Sequence, residues 1–286
     1  MWPLFPVCHR KKCEALAYRY QFSMDFAKMI FWRAPISQTR TREIDMTCDL
    51  HGKTVAILSY HKIGDPRPGG WKTWFYVPER TFRAHLNLLQ DRGWAALGLR
   101  EFLGGLTNPE NLPDKAVVIS FDDGYQAVRE VAIPLLRRFG YPSVLFVPTD
   151  YIGGYNTFDD GVEPQEPLCD WNDLRELARV GVSIQSHGVS HKKFSVLTLS
   201  EIEQELLRSK ALLENNVGGS VEVMAFPYGD HGGNWHDIEQ TLEKVGYQAA
   251  CLYGGGLATF PGAARYRLPR LAMGADTDLA RELGRL

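Results

Sequence analysis

The sequence predicts an α/β fold of repeated βα units around a mainly parallel sheet. Two observations predict it. From residue 54 onward, short runs rich in β-branched residues alternate with longer stretches of helical periodicity, and several of those helical stretches stop at a glycine. Glycine suits a helix end because it enters the left-handed terminal conformation without strain.

The first expected strand covers residues 54–59, and the helical pattern over 78–91 runs up to Gly93. The next strand, 116–121, is apolar apart from Ser120, and the helix expected over 125–139 stops at Gly140. A strand over 143–147 is followed by a Gly-, Asp- and Pro-rich stretch, 153–167, expected as a surface loop near the site. The helix over 171–180 ends at Gly181, and the strand over 182–185 starts at once. For the helix over 199–215, Ser200 with Glu203 three residues later is expected to form the capping box. A strand over 221–226, a helix over 235–245 closed by Gly246, and a strand over 247–252 complete the alternation, with a last strand near Arg267-Leu268-Pro269-Arg270-Leu271. Gly254-Gly255-Gly256 lacks the Lys-Ser/Thr or spaced-glycine context of a nucleotide site and reads as a tight turn.

With 286 residues the chain suits one large domain, over 51–286, preceded by a stretch over 1–50 that shows no sustained period. That stretch is expected as a poorly ordered extension, either a loose arm or sequence upstream of the true start, since Met24 and Met46 both precede the regular pattern. Hydrophobic content of 44%, charged content of 23% and a net charge of -2 are those of an ordinary globular protein, with no electrostatic reason to expect nucleic acid. The five cysteines are scattered and odd in number, so they form neither a disulfide framework nor a zinc ribbon. No apolar run is long enough for an integral membrane segment. Apolar Met1 to Val7 precedes basic His9-Arg10-Lys11-Lys12, the reverse of an export signal, so the expected location is cytoplasmic.

The chemistry concentrates in two places. In Ile119-Ser120-Phe121-Asp122-Asp123-Gly124, two carboxylates stand where a buried strand ends, the position where parallel α/β folds gather functional groups. The pair also fits an N-cap with a solvated neighbour for the helix near Tyr125. The strand over 182–185 leads into Ser186-His187-Gly188-Val189-Ser190-His191, and spacing of four places both rings on one face if the segment turns helically. One acid and two imidazoles make three ligands for a first-row metal and leave a position open for water.

These residues resemble the polysaccharide deacetylases that share the NodB homology domain. Phe121-Asp122-Asp123-Gly124 is similar to the first family motif, His187-Gly188-Val189-Ser190-His191 to the second and Ala225-Phe226-Pro227-Tyr228-Gly229 to the third. The resemblance spans about residues 54–272 and implies a distorted (β/α) barrel of about seven units. It implies Asp122 as general base, Asp123, His187 and His191 as metal ligands, and the Tyr228 backbone as an oxyanion donor. The implied cofactor is a divalent metal ion, zinc first, with cobalt or nickel as alternatives. The implied partner is an N-acetylated glycan, chitin-like, poly-N-acetylglucosamine or peptidoglycan.

The chain departs from the family in two places. Ala225 stands where an arginine that orients the base is common, and Arg270 is the candidate replacement from another strand. A family histidine near the C-terminus has no counterpart after His236; His61, in Ser59-Tyr60-His61-Lys62, is the candidate general acid. An early histidine of this kind resembles the permuted poly-N-acetylglucosamine deacetylase branch. A helix-cap or core histidine is the other reading of His61, and His231 and His236 are expected to face solvent. Trp71, Trp74, Tyr76 and Tyr155, in expected loops, are candidate sugar-stacking contacts. The alternatives to a glycan deacetylase are an amidase or deformylase on a small or lipid-linked amide, and a carbohydrate-binding homologue without catalysis.

Overall fold

The computed structural model describes residues 52–284, so the expected extension over 1–50 lies outside the described residues. Strand β1 (Lys53–Tyr60) opens the fold, and β2 (Lys62–Ile63) and β3 (Tyr76–Val77) form a separate parallel pair. Then come α1 (Glu79–Asp91), β4 (Ala95–Ala96), α2 (Leu99–Thr107), β5 (Ala116–Phe121), α3 (Ile133–Phe139) and β6 (Ser143–Val147). The alternation continues through α4 (Trp171–Arg179), β7 (Val182–Ser186), α5 (Leu199–Val217), β8 (Val223–Ala225) and α6 (Trp235–Val245). It ends with β9 (Ala249–Gly255), β10 (Ala258–Phe260), β11 (Leu268–Ala272) and α7 (Leu279–Leu283).

Parallel pairing runs β1, β11, β9, β8, β7, β6, β5 and back to β1, which closes seven strands into a barrel. The expected barrel of about seven units is therefore present. Its distortion lies in uneven pairing: β1 and β5 share six register positions, β7 and β8 one. Strand β10 lies antiparallel on β1, and β4 flanks β5.

Strand alternation divides the core into two layers. Val55 and Ile57 of β1, Val118 of β5, Val144 and Phe146 of β6, and Leu268 of β11 belong to one cluster that also takes in Phe102 and Leu103 of α2. The intervening residues, among them Ala56, Leu58, Val117, Ile119 and Leu145, pack with the buried faces of α1, α3, α4, α5 and α6. Continuing the first register toward the carboxyl ends of the strands gives buried Ser59, Ser120, Asp122 and Arg270. These polar groups thus sit on top of an apolar filling.

Four expectations need correction. The capping box of α5 is Thr198 with Glu201, not Ser200 with Glu203: Thr198 Oγ1 accepts the Glu201 N–H at 3.3 Å and Glu201 Oε2 accepts the Thr198 N–H at 2.7 Å. The helix expected over 125–139 carries a π-helical turn, Val128–Ala132, in its first half. The strand expected over 221–226 is only Val223–Ala225, because side chains replace the sheet ladder ahead of it: Gln185 Oε1 accepts the N–H groups of Glu222 and Val223, and Glu214 Oε1 that of Val221. Residues 187–191 do not turn helically. Cys169 and Cys251 are buried free thiols whose pKa burial pushes up to about 12, as inert structural residues require; Cys8, Cys13 and Cys48 lie outside the described residues.

Candidate active site

Asp122 and Asp123 follow β5, His187 follows β7, and His191 closes the loop after it, so the barrel brings the two motifs to one end. His187 Nε2 lies 3.4 Å and His191 Nε2 3.2 Å from Asp123 Oδ1, and all three groups are buried. No hydrogen bond forms at either contact, which leaves Asp123 Oδ1 buried without a donor. The three atoms face a shared space, and one ligand atom from each residue lies within 4.8 Å of the others. A buried carboxylate oxygen without a donor beside two imidazoles is the deficiency that a divalent cation removes, so this donor set fits the implied metal.

The backbone is shaped for this convergence. Asp123 (φ 70), His191 (φ 53) and Tyr228 (φ 57) are, among the described residues, the only non-glycine residues with positive φ. Such conformations are strained and persist only where the surroundings enforce them. Around the histidine loop the enforcement is visible. Glu205 of α5 accepts the N–H groups of Val189 at 2.6 Å and Ser190 at 2.9 Å, and the Ser190 hydroxyl at 2.7 Å. His187 Nδ1 bonds the Ala225 carbonyl at 2.7 Å, which puts the proton on Nδ1 and leaves Nε2 free toward Asp123. Ala225, where a family arginine was expected, therefore serves through its backbone. The His191 ring is held by Phe158, 4.0 Å between centroids, and Tyr228, 4.7 Å.

Arg270, wholly buried in β11, donates from Nη1 and Nη2 to the two oxygens of Asp122, both at 2.7 Å, and from Nε to the Leu252 carbonyl at 2.6 Å. The register on β9 shifts between Leu268 and Arg270, the kind of irregularity that re-aims a side chain. Ser59 Oγ adds a weaker donor to Asp122 at 3.2 Å. Burial pushes the Asp122 carboxyl up, but Arg270 and His187 outweigh it and hold the group below its ordinary value. Burial likewise opposes ionisation of Asp123, and the close approach of His187 and His191 holds it well below.

His61 follows β1, with Nε2 3.9 Å from Asp122 Oδ2 and 4.0 Å from Asp123 Oδ2. Its ring packs on Phe75 and edge-on to Tyr253, and burial lowers its pKa against the pull of the two carboxylates. The Tyr228 hydroxyl donates to Asp159 Oδ1 at 2.9 Å. Burial and nearby Asp123 push the Asp159 carboxyl up. These groups line a cavity of about 280 Å³ together with Lys62, Phe75, Tyr125 and Glu163.

Six of the seven expected site residues therefore meet at one cavity, and the seventh, Arg270, stands behind Asp122. The aromatic contacts expected from the sequence do not line it. Tyr76 is buried with its hydroxyl on Glu166 at 2.8 Å, Trp74 donates to Asp276, and Trp71 and Tyr155 are exposed elsewhere. His231 and His236 are also absent from the lining. Sequence reasoning missed Glu205, Asp159 and Glu163; the serines placed inward on β1 and β5 were the one readable sign that the barrel turns polar there.

The family profile described as polysaccharide deacetylase matches residues 110–250. YxkH of Bacillus subtilis (strain 168), a protein given the polysaccharide deacetylase name, is 30% identical over 211 residues, 73% of this chain and 65% of its own. The chain thus spans about two thirds of that relative's length. Poly-beta-1,6-N-acetyl-D-glucosamine N-deacetylase of Staphylococcus epidermidis is 24% identical over 71% of this chain and 69% of its own. Among solved structures, the Streptococcus pyogenes deacetylase PplD in complex with acetate superposes with a TM-score of 0.69 at 22% identity, covering 82% of this chain and 98% of that one. That likeness supports the fold.

Proposed function

We propose, on the premise that the chain belongs to the polysaccharide deacetylase family, that it is a metal-dependent N-deacetylase of glycans containing N-acetylglucosamine. One observation carries the reading: a buried Asp-His-His set opens on a cavity, and beside it stands a second carboxylate fixed by a two-pronged arginine contact. The names of the curated relatives support the glycan as substrate.

Bound by Asp123, His187 and His191, a divalent cation would supply a Lewis acid for the amide carbonyl and a lower pKa for water. Zinc suits a set of one oxygen and two nitrogens, and cobalt and nickel accept the same donors. Asp122 is the general base. Arg270 occupies one lone pair on each Asp122 oxygen, and the carboxylate keeps acceptor capacity for the proton of the attacking water. The Tyr228 N–H, on a backbone held at φ 57, donates to the oxygen that becomes negative as the carbon turns tetrahedral. His61 gives the leaving amine its proton. Its lowered pKa keeps the ring neutral at rest, so the proton it gives is the one Asp122 takes from the water, handed on by the carboxylate whose Oδ2 lies 3.9 Å from His61 Nε2.

A missing third-motif arginine by itself favours a binding protein without catalysis; Arg270 in contact with Asp122 supports the enzyme instead. The test is acetate release from N-acetylglucosamine oligomers with added zinc or cobalt, with and without chelator. Release that stops with chelator and returns with the ion is expected. Hydrolysis of small amides alone would move the reading to an amidase, and failure to take up any divalent ion would end it.

A further inference from the structure

Lys62 and Glu163 line the same cavity, yet the proposed chemistry uses neither. Both are buried, with Lys62 1% and Glu163 7% exposed, and the ammonium meets Glu163 Oε2 at 2.7 Å. Tyr76 and Tyr125 present their ring faces to the ammonium at 4.7 and 4.9 Å. Stability does not account for this pair, since a buried ion pair seldom outperforms well-packed apolar residues of the same volume.

The hydrogen bonds are unevenly shared. Glu163 Oε2 accepts from Lys62 and, at 2.7 Å, from the Thr73 hydroxyl, whereas Oε1 has no hydrogen-bond donor among the described residues. The segment carrying Glu163 is fastened on its far side. Glu166 Oε1 accepts the Tyr76 hydroxyl and the Arg67 N–H, and Asn156 Oδ1 accepts the Glu166 N–H at 2.7 Å. A fixed oxygen with spare lone pairs is a preorganised acceptor. Lys62 cancels the carboxylate charge, so the acceptor favours a neutral O–H over a cationic amine. At about 280 Å³ the cavity sits at the small end of ligand sites, which puts its walls within reach of a single sugar residue.

We infer that Glu163, neutralised by Lys62, is a specificity-determining acceptor for a ring hydroxyl of the sugar residue whose acetamide lies at Asp122 and Asp123. This rests on the deacetylase reading. The experiment compares N-acetylglucosamine oligomers with their single-deoxy analogues. It uses the metal-loaded wild type, Glu163→Gln, and the double variant Lys62→Met with Glu163→Leu, whose apolar pair should fold as well as the ion pair. Wild type should lose roughly 10- to 100-fold in kcat/KM on one deoxy analogue alone, the scale of one buried hydrogen bond. The double variant should keep its thermal midpoint and metal content, fall to that same rate on the parent sugar, and no longer distinguish the two. A merely structural role would slow every substrate alike. Equal rates across the deoxy series in wild type, or undiminished discrimination in the double variant, would overturn the inference. Binding of the same sugars to metal-loaded Asp122→Asn separates the two proposals. Hydroxyl-dependent binding without acetate release from wild type sinks the hydrolysis and keeps the acceptor; acetate release without hydroxyl dependence does the reverse.

Discussion

Replacing Arg270 with alanine removes both N–H groups that hold Asp122 and the bond from Nε to the Leu252 carbonyl. Asp122 is 2% exposed, so the variant strands a carboxylate with little water to replace its partner. Breaking a buried pair from one side costs about 3–5 kcal/mol. A general base contributes roughly 10²- to 10⁴-fold to rate, and an Asp122 that swings away or takes up a proton loses most of it. A drop of about 10²-fold or more in acetate release at neutral pH is therefore expected, with metal content preserved because Asp123, His187 and His191 are untouched. Arg270→Lys should recover part of the stability and little of the rate, since one ammonium cannot reproduce the fork.

The pH dependence of stability carries its own sign. In the wild type the folded Asp122 pKa is depressed, so its contribution is present above the unfolded value of 3.8 and is lost as pH falls through the folded value. In metal-free Arg270→Ala the burial cost is no longer offset by Arg270. A folded pKa that then rises above 3.8 makes the variant lose stability as pH rises through that window. Denaturant titrations of both metal-free proteins at about pH 4 and pH 7 should show the deficit widening at pH 7. Activity of Arg270→Ala close to wild type would refute the reasoning.

His61→Ala should lower turnover by about 10²-fold or more while leaving bound metal in place, read by elemental analysis beside acetate release; loss of metal would make His61 a ligand. Glu205→Gln weakens three bonds that hold the histidine loop, so metal affinity should fall about 10- to 100-fold with the fold retained, and unchanged affinity would deny Glu205 that role. His85 is buried against the Tyr60 hydroxyl at 3.0 Å, and burial lowers its pKa below 6.5. The unfolded chain then binds the extra proton first, so stability should fall as pH drops through about 6.5. His85→Gln should flatten that part of a thermal-midpoint profile, and a slope equal to wild type would show that the burial has no such effect.

Local patterning by itself determined the strands over 116–121 and 143–147 and the helix over 235–245, all present at those bounds. It also singled out Asp122, Asp123, His187 and His191, because each pair lies within a few residues at a strand end and its chemistry can be read without knowing its neighbours. Arg270 remained a candidate until the barrel closed. It lies 148 residues from Asp122, and only β11 and β5 flanking β1 bring the two together. Glu205, the carbonyl of Ala225, and the Lys62 and Glu163 pair left no local trace, since each acts on a partner from another strand or loop. The left-handed turns at Asp123 and His191 escaped for a related reason: periodicity reports the conformations a residue prefers, whereas these are strained ones that surrounding contacts impose. Side-chain period and glycine punctuation are short-range properties and survive in one dimension. Which carboxylate meets which cation depends on closing long loops, and that is decided by the whole fold.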